Sequence, residues 1–238
     1  MRSACVLAAA CAASLLGAAA LPAQGLIPAG FTPIFNGRNL DGWHPSRTTH
    51  HGPVGNFHVE DGVLLASQRP FGQGGLLLTD KVYKDFELYL ELNPDESFNS
   101  GVFLRSTESG SAYQIEINTP GDATGNLIGE RMRLSQPQYV GEKIPISKVW
   151  KNGDWNSLRI RMVGEAPHVT TWCNGTQLYE LQMPKNDQVG GVYGGMIGLQ
   201  LHYTSTYTAA TQSGSWSGTN TRPWQLQRFR SIAIKEIK

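Results

Sequence analysis

The stretch NSGVFLRSTESGSAYQIEIN, residues 99–118, decides the fold, because it reads as two strands joined by a Ser/Gly turn. Side chains along a strand alternate between its two faces. In the second arm, apolar side chains alternate with three polar ones, Gln114, Glu116 and Asn118. In the first arm, the same alternation places Arg105 on the face that carries these polar groups. We therefore predict a sheet face that gathers amide, carboxylate and guanidinium groups, as a surface for a polar, hydroxyl-rich ligand would.

The rest of the chain keeps the period of two. The segment DFELYLELN at 85–93 alternates without interruption, which is typical of a half-buried antiparallel strand. Asp61-Gly62 and Asn174-Gly175 are pairs that favour tight hairpin turns, because both positions accept a positive φ. Turn signals recur along the chain and no convincing amphipathic helix interrupts them. This pattern predicts an all-β protein, an antiparallel sandwich of two sheets.

The N-terminus has the pattern of an export signal. Arg2 precedes an apolar, Ala-rich run that ends in small residues, which predicts a signal peptide over residues 1–23. A leader would follow at 24–30, and a single sandwich domain at 31–238. A retained anchor is the alternative, but the run is short for a spanning helix. We expect a periplasmic or secreted protein without stable membrane insertion after cleavage.

Charge and cysteine content narrow the class further. The chain of 238 residues has a formal net charge of +1 and no basic stripe, which argues against nucleic acid as a partner. Cys5 and Cys11 lie within the predicted signal, so the mature chain would keep only Cys173. An intramolecular disulfide is then impossible, and Cys173 is interpreted as a packed core residue.

The sequence pattern alone does not assign a structure or a function to two segments. His44, His50 and His51 suggest a metal site, but no carboxylate or cysteine joins them at ligand spacing, so a surface loop is favoured. The segment 119–150 shows no sustained period, and long loops of this kind are often functional. It contains charged residues such as Glu130, to which the sequence assigns no role.

An ordered series of segments carries a family resemblance: FTPIFNGRNLDGW at 31–43, VEDGVLLAS at 59–67, GDWNSLRIRMVG at 153–164, GGMIGLQLH at 194–202 and FRSIAIKEIK at 229–238. In this order they resemble the bacterial 3-keto-disaccharide hydrolase family, also described as 3-keto-α-glucoside 1,2-lyases and 3-keto-2-hydroxyglucal hydratases. The resemblance covers 31–238. It implies a concanavalin-like jelly roll and an exported enzyme that acts on oxidised sugars.

A keto sugar would set the chemistry of such a site. A ketone at C3 acidifies the hydrogen on C2, so the site needs a base, a group that stabilises the enolate oxygen, and an acid for the leaving group. We predict Glu116 or His202 as the base, or as a metal ligand if a divalent cation is used as a Lewis acid. Arg105 is predicted to stabilise the developing oxyanion.

The amides Asn99, Gln114 and Gln200 are predicted to hold sugar hydroxyls. Direct hydrolysis is the other chemistry left open, and it requires a pair of carboxylates. Glu116 would be one of the pair, and the weak seconds are Glu87, Glu91 and Glu108. A non-catalytic, lectin-like module on the same fold is the alternative function, since a fold does not fix an activity.

Overall fold

The computed structural model describes residues 25–119, 123–136, 144–204, 206–208, 213–216, 219–222 and 224–238. The predicted signal peptide, 1–23, lies outside these ranges. Within them, no helix is long and apolar enough to span a membrane. The described helices are two 3₁₀ turns, Ile146–Lys148 and Val189–Gly191.

The strands of the described residues are β1 Thr32–Pro33, β2 Trp43–Pro45, β3 Asn56–Glu60, β4 Val63–Ser67, β5 Gly75–Tyr83, β6 Phe86–Leu92, β7 Phe98–Ser106, β8 Ala112–Thr119, β9 Leu127–Glu130, β10 Asn156–Val163, β11 His168–Cys173, β12 Thr176–Gln182, β13 Gly195–Leu201, β14 Thr206–Thr208, β15 Ser213–Trp216, β16 Thr219–Thr221 and β17 Gln227–Glu236. They form two large antiparallel sheets and one small one. The eight-stranded sheet runs β12-β11-β10-β6-β17-β4-β3, with β1 added to β17. The six-stranded sheet runs β2-β5-β13-β7-β8-β9, and the small sheet is β14-β15-β16. The predicted antiparallel two-sheet sandwich is confirmed.

The core lies between the two large sheets and follows from the alternation of each strand. On β6 the even-numbered positions Phe86, Leu88, Leu90 and Leu92 are fully buried, while the odd-numbered ones are half-buried. The six-stranded sheet contributes side chains such as Val102 to the same cluster. Removing apolar surface of this extent from water is the main stabilising contribution to such a sandwich.

Two of the predicted turns form as expected. Asp61 and Gly62 both adopt positive φ, 47° and 82°, between Glu60 and Val63, which face each other in the β3–β4 hairpin. Asn174 and Gly175 do the same, with φ of 49° and 81°. These dihedral angles match the right-handed twist of the paired strands, which is why such pairs favour tight hairpins.

The segment 119–150 contains a strand that the sequence analysis missed. β9 pairs with β8 at the edge of the six-stranded sheet, with Ala112 opposite Glu130 and Gln114 opposite Ile128. Its four residues are too short to show a period, so a pattern search does not detect them. The strand matters because it carries Glu130 onto a sheet face.

Candidate active site

The candidate site lies on the outer face of the six-stranded sheet, the face directed away from the core. Directly opposed residues of antiparallel strands share a face. Glu116 faces Gly101 on β7, and Gly101 faces Gln200 on β13, so these three form one row across the sheet. Asn99 and Asn118 form the next row, beside His202 at the end of β13. All the predicted site residues except Arg105 therefore lie on this polar face.

A hydrogen-bond chain crosses the middle of this face. The Gln114 amide Nε2 donates to Gln200 Oε1 at 3.2 Å, and Gln200 Nε2 lies 3.0 Å from His51 Nε2. An amide nitrogen only donates, so His51 Nε2 accepts and its Nδ1 carries the proton. Both glutamines are buried, at 2% and 1% exposure. In this arrangement they position the imidazole, and the prediction that they hold sugar hydroxyls stays a prediction.

Gly101 makes this chain possible. A Cβ at this position would lie only 2.2 Å from Gln114 Nε2, so a glycine is needed where the Gln114 side chain crosses β7. The oxygen of the same amide, Gln114 Oε1, is buried and has no hydrogen-bond partner in the part of the chain that the structure describes.

His50, His51 and Glu130 form a cluster at the edge of the polar face. Glu130 Oε1 lies 3.1 Å from His50 Nε2 and 3.9 Å from His51 Nε2. The two histidines belong to the segment between β2 and β3, whereas Glu130 ends β9. The His51 side chain is fully buried, so the surface-loop interpretation is wrong for this residue; those of His50 and Glu130 are 37% and 18% exposed.

Burial shifts the pKa of all three groups toward the neutral form. Burial raises the pKa of Glu130 to about 7, and the charge of Arg131 only partly offsets it. Burial, followed by repulsion from His202, His50 and Arg131, lowers the pKa of His51 to about 2. The pKa of His50 is lowered by burial and by Arg131. The cluster thus holds neutral imidazoles beside a carboxyl group that titrates near neutrality.

His202 lies against this cluster. Its ring centroid is 5.1 Å from that of His51, and it stacks on Tyr203 at 4.7 Å. His202 Nδ1 donates to the Tyr203 carbonyl oxygen at 2.7 Å, which places the lone pair on Nε2. Burial lowers the pKa of His202 to about 4, against the effect of that hydrogen bond. The imidazole is therefore neutral at physiological pH and able to accept a proton.

The remaining predicted groups of the face differ in exposure. Glu116 is half-buried opposite Gly101, and Asn99 is 6% exposed opposite Asn118. Glu116 and His202 lie on either side of β7 and in successive rows, so their Cα atoms are about 12 Å apart across the sheet. Both can contact a ligand that lies over β7.

Arg105 does not belong to the site, and the prediction that it shares the polar face is wrong. A bulge follows Phe103, so that Ser106 and not Arg105 pairs with Met196 on β13. The Arg105 guanidinium instead donates to the Lys84 carbonyl at 2.7 Å, to the Gly164 carbonyl at 2.9 Å and to Asp85 Oδ1 at 3.1 Å. It joins turns at one end of the sandwich and is unavailable for an oxyanion on the outer face.

The weak second carboxylates also lie elsewhere. Glu87 and Glu91 are on β6 of the eight-stranded sheet, where Glu91 accepts from Arg230 Nε at 2.8 Å and Glu87 lies 3.9 Å from Arg161. Glu108 lies in the turn between β7 and β8, 3.0 Å from His44 Nε2. The carboxylate that sequence reasoning missed is Glu130. Glu130 and His50 are far apart in sequence, so no local pattern links them. The pairing of β9 with β8 brings them together.

Comparison with known proteins identifies the family to which the chain is similar. A family model described as the 3-keto-alpha-glucoside-1,2-lyase-like domain matches residues 30–234. A 3-keto-disaccharide hydrolase from Bacteroides thetaiotaomicron is 28% identical over 143 residues, 54% of this chain and 43% of the relative. The matched region thus spans less than half of that relative.

Solved structures agree on the architecture. A proposed glycosyl hydrolase from Parabacteroides distasonis superposes with a TM-score of 0.55 at 19% identity, covering 88% of this chain and 94% of the other. The β-glucanase of Bacillus licheniformis superposes with a TM-score of 0.54 at 10% identity, covering 88% and 99%. At these identities the likeness establishes the jelly-roll fold alone.

Proposed function

Because the chain belongs to the 3-keto-alpha-glucoside-1,2-lyase-like domain family, we propose that it is an exported enzyme that cleaves the glycosidic bond of 3-keto glucosides or 3-keto disaccharides. A carbohydrate-active enzyme of the 3-keto-disaccharide hydrolase type is what the family and the curated relative support. The observation that carries the finer proposal is the outer face itself, where two carboxyl groups and a neutral imidazole lie beside buried amides.

The proposed reaction begins with removal of the C2 proton, since the C3 ketone spreads the resulting charge as an enolate. The enolate then reforms the ketone while a C1–C2 double bond forms and the C1–oxygen bond breaks. The leaving oxygen takes a proton from a general acid and departs as an alcohol. Water adds to C1 of the unsaturated sugar and a proton returns to C2, so the net change is hydrolysis.

Glu116 and His202 are the candidates for the base, because both are on the outer face and burial keeps the His202 imidazole neutral. Glu130 is a candidate acid, since a carboxyl group whose pKa is about 7 is partly protonated at neutral pH. Arg105 receives no role. The enolate oxygen therefore requires another positive group.

The test is turnover by the mature protein on a panel of native and 3-oxidised disaccharides. We expect cleavage of the oxidised sugars only, with kcat about 100-fold lower in Glu116→Gln and in His202→Ala. The matched controls are Glu180→Gln and His168→Ala, a surface pair 2.8 Å apart on the other sheet, which should keep wild-type rates. Wild-type rates in both site variants would reject the assignment.

The same panel separates the enzyme from the lectin-like alternative. A binding module would retain the sugars without converting them, because stacking and hydroxyl-binding groups suffice for binding and no positioned base is needed. Saturable binding of a 3-keto disaccharide with no product after prolonged incubation would favour that function.

A further inference from the structure

We propose that His50, His51 and Glu130 bind one divalent transition-metal cation. Two imidazoles and one glutamate are a ligand set that catalytic zinc sites use, with a further position left for water or a substrate oxygen. In the described residues these three side chains each direct a ligand atom to one place, and all three atoms lie within 4.8 Å of one another.

The distances suit a cation of this size. With bonds of about 2.1 Å, a tetrahedral zinc holds its ligand atoms about 3.4 Å apart. Glu130 Oε1 lies 3.1 Å from His50 Nε2 and 3.9 Å from His51 Nε2, so the observed spacings lie on either side of that value. The three ligand atoms all lie within 4.8 Å of one another, so a cation bound by all three would require the side chains to rotate inward.

The burial of the cluster favours a bound cation over a purely structural role. A buried polar atom without a partner is costly. His51 Nδ1 is buried and has no hydrogen-bond partner among the residues described, and the side chain around it is 0% exposed. A structural histidine would be expected to use both nitrogens. A cation on Nε2 would leave the Nδ1 proton unpartnered, but its bond to the ring would offset part of the cost of burying the imidazole.

Two neighbours compete with the cation, and both make the proposal testable. The Gln200 amide occupies the His51 Nε2 lone pair at 3.0 Å, so a cation must displace this hydrogen bond. Arg131, adjacent to Glu130, carries a positive charge that acts on both histidines and on Glu130. Removal of that charge should strengthen cation binding, while removal of Glu130 should weaken it.

The cluster lies beside the row Glu116–Gly101–Gln200, since Gln200 contacts His51 directly. If the proposed function is correct, a cation here would supply the positive charge that Arg105 cannot, by polarising the keto oxygen of the sugar. This role rests on the proposed function, and it makes Glu130 a deprotonated ligand that is no longer available as the general acid. Binding of the cation does not rest on the proposed function, and it is measured without any substrate.

The experiment uses the mature chain without an affinity tag, stripped with a chelator and dialysed against Zn²⁺ or Co²⁺. We expect one ion per chain and, with Co²⁺, a visible absorption band of a low-coordinate site. His50→Gln and Glu130→Gln should each lower the affinity by about 100-fold or more, and Arg131→Asn should raise it a few-fold. Asparagine suits the positive φ of 53° at that position.

His50→Gln is the decisive variant, because His50 is partly exposed and its replacement should leave folding intact. His58→Ala is the matched control, since His58 lies 3.2 Å from Glu60 on the other sheet in a similar surface pair; its affinity should equal that of the wild type. Absence of stoichiometric binding, or wild-type affinity in both His50→Gln and Glu130→Gln, would overturn the site. Stoichiometric binding with unchanged turnover after chelation would overturn the Lewis-acid role alone.

Discussion

The amide of Gln114 donates to the side chain of Gln200 across β7, at 3.2 Å, and the intervening residue is Gly101. Two glutamines 86 positions apart are thereby joined over a gap that any other side chain would close. Gln200 in turn contacts His51, so the absence of a side chain at Gly101 influences the orientation of an imidazole in the segment between β2 and β3.

Gly101→Ala should therefore impair the site without unfolding the protein. The new Cβ would meet Gln114 Nε2 at 2.2 Å, and the flexible glutamine would move rather than the backbone. We expect kcat/KM on the keto sugar to fall by about ten- to a hundred-fold, because displacing a positioned group by an ångström costs this much. Steady-state kinetics and a thermal melt measure the two effects.

A double-mutant cycle identifies the route of the effect. If Gly101→Ala acts through Gln114, adding it to Gln114→Ala should change kcat/KM very little. Additive losses in the double variant would show that the alanine disturbs something other than this amide.

The fold was predictable because it depends on a repeated local pattern. The alternation on β6 and the Asp61-Gly62 turn are properties of a few adjacent residues, and burial on one face leaves a clear period of two. The same alternation predicted that Gln114, Glu116 and Asn118 share one face of β8. Each of these features needs no knowledge of distant partners.

The site was less predictable because two departures from regular geometry decide it. A single bulge moves Arg105 off the face that strict alternation assigns to it, and a bulge has no reliable sequence signal. The second departure is the pairing of β9, which places Glu130 beside His50 across 80 residues of chain. Register across such a distance follows from the whole sheet, so no local pattern indicates it.

Cys173 should be chemically inert in the folded protein. It ends β11 within the core, and burial raises the pKa of its thiol to about 12, so almost no reactive thiolate exists at neutral pH. We expect less than about a tenth of the thiol to react with a thiol reagent in the native mature chain. In denaturant the thiol should react completely, which serves as the control. Rapid labelling of native protein would contradict its placement.

His44 should make a small contribution to stability that depends on pH. Its Nδ1 lies 2.6 Å from Asp80 Oδ1, and its Nε2 lies 3.0 Å from Glu108 Oε2. Burial acts to lower the pKa of His44, but the hydrogen bonds and charges of the two carboxylates raise it overall. A raised folded pKa means that the stabilisation is full below the unfolded value near 6.5 and disappears as pH rises through the folded value.

His44→Gln should consequently cost more at about pH 6 than at about pH 9. The three side chains are 37%, 60% and 43% exposed, so solvent screening limits the difference to less than about 1 kcal/mol. Urea denaturation at the two pH values measures it. A larger cost at the higher pH would have the wrong sign for a cationic imidazole held by two carboxylates.

Replacement of Arg105 should change the stability of the protein without changing its catalytic rate. Its guanidinium is 1% exposed, with three hydrogen bonds to the Lys84 carbonyl, the Gly164 carbonyl and Asp85, and it lies 4.9 Å from the Tyr193 ring centroid. Removing it leaves the Lys84 and Gly164 carbonyls without this donor, whereas the half-buried Asp85 carboxylate keeps the Gly164 N–H and the Tyr193 hydroxyl as donors. Arg105→Gln should therefore lower the free energy of unfolding by about 2–4 kcal/mol, because each buried carbonyl left without a donor costs about 1–3 kcal/mol.

The folded fraction of Arg105→Gln should nevertheless turn over keto sugar at the wild-type kcat, because no atom of this side chain reaches the outer face. Urea denaturation gives the stability loss, and kinetics at low temperature, corrected for the folded fraction, give the rate. Arg38→Gln, at an exposed arginine, is the control and should change neither quantity. If Arg105→Gln had normal stability and a strongly reduced kcat, Arg105 would have to act in the reaction. That result would contradict the register of β7 against β13.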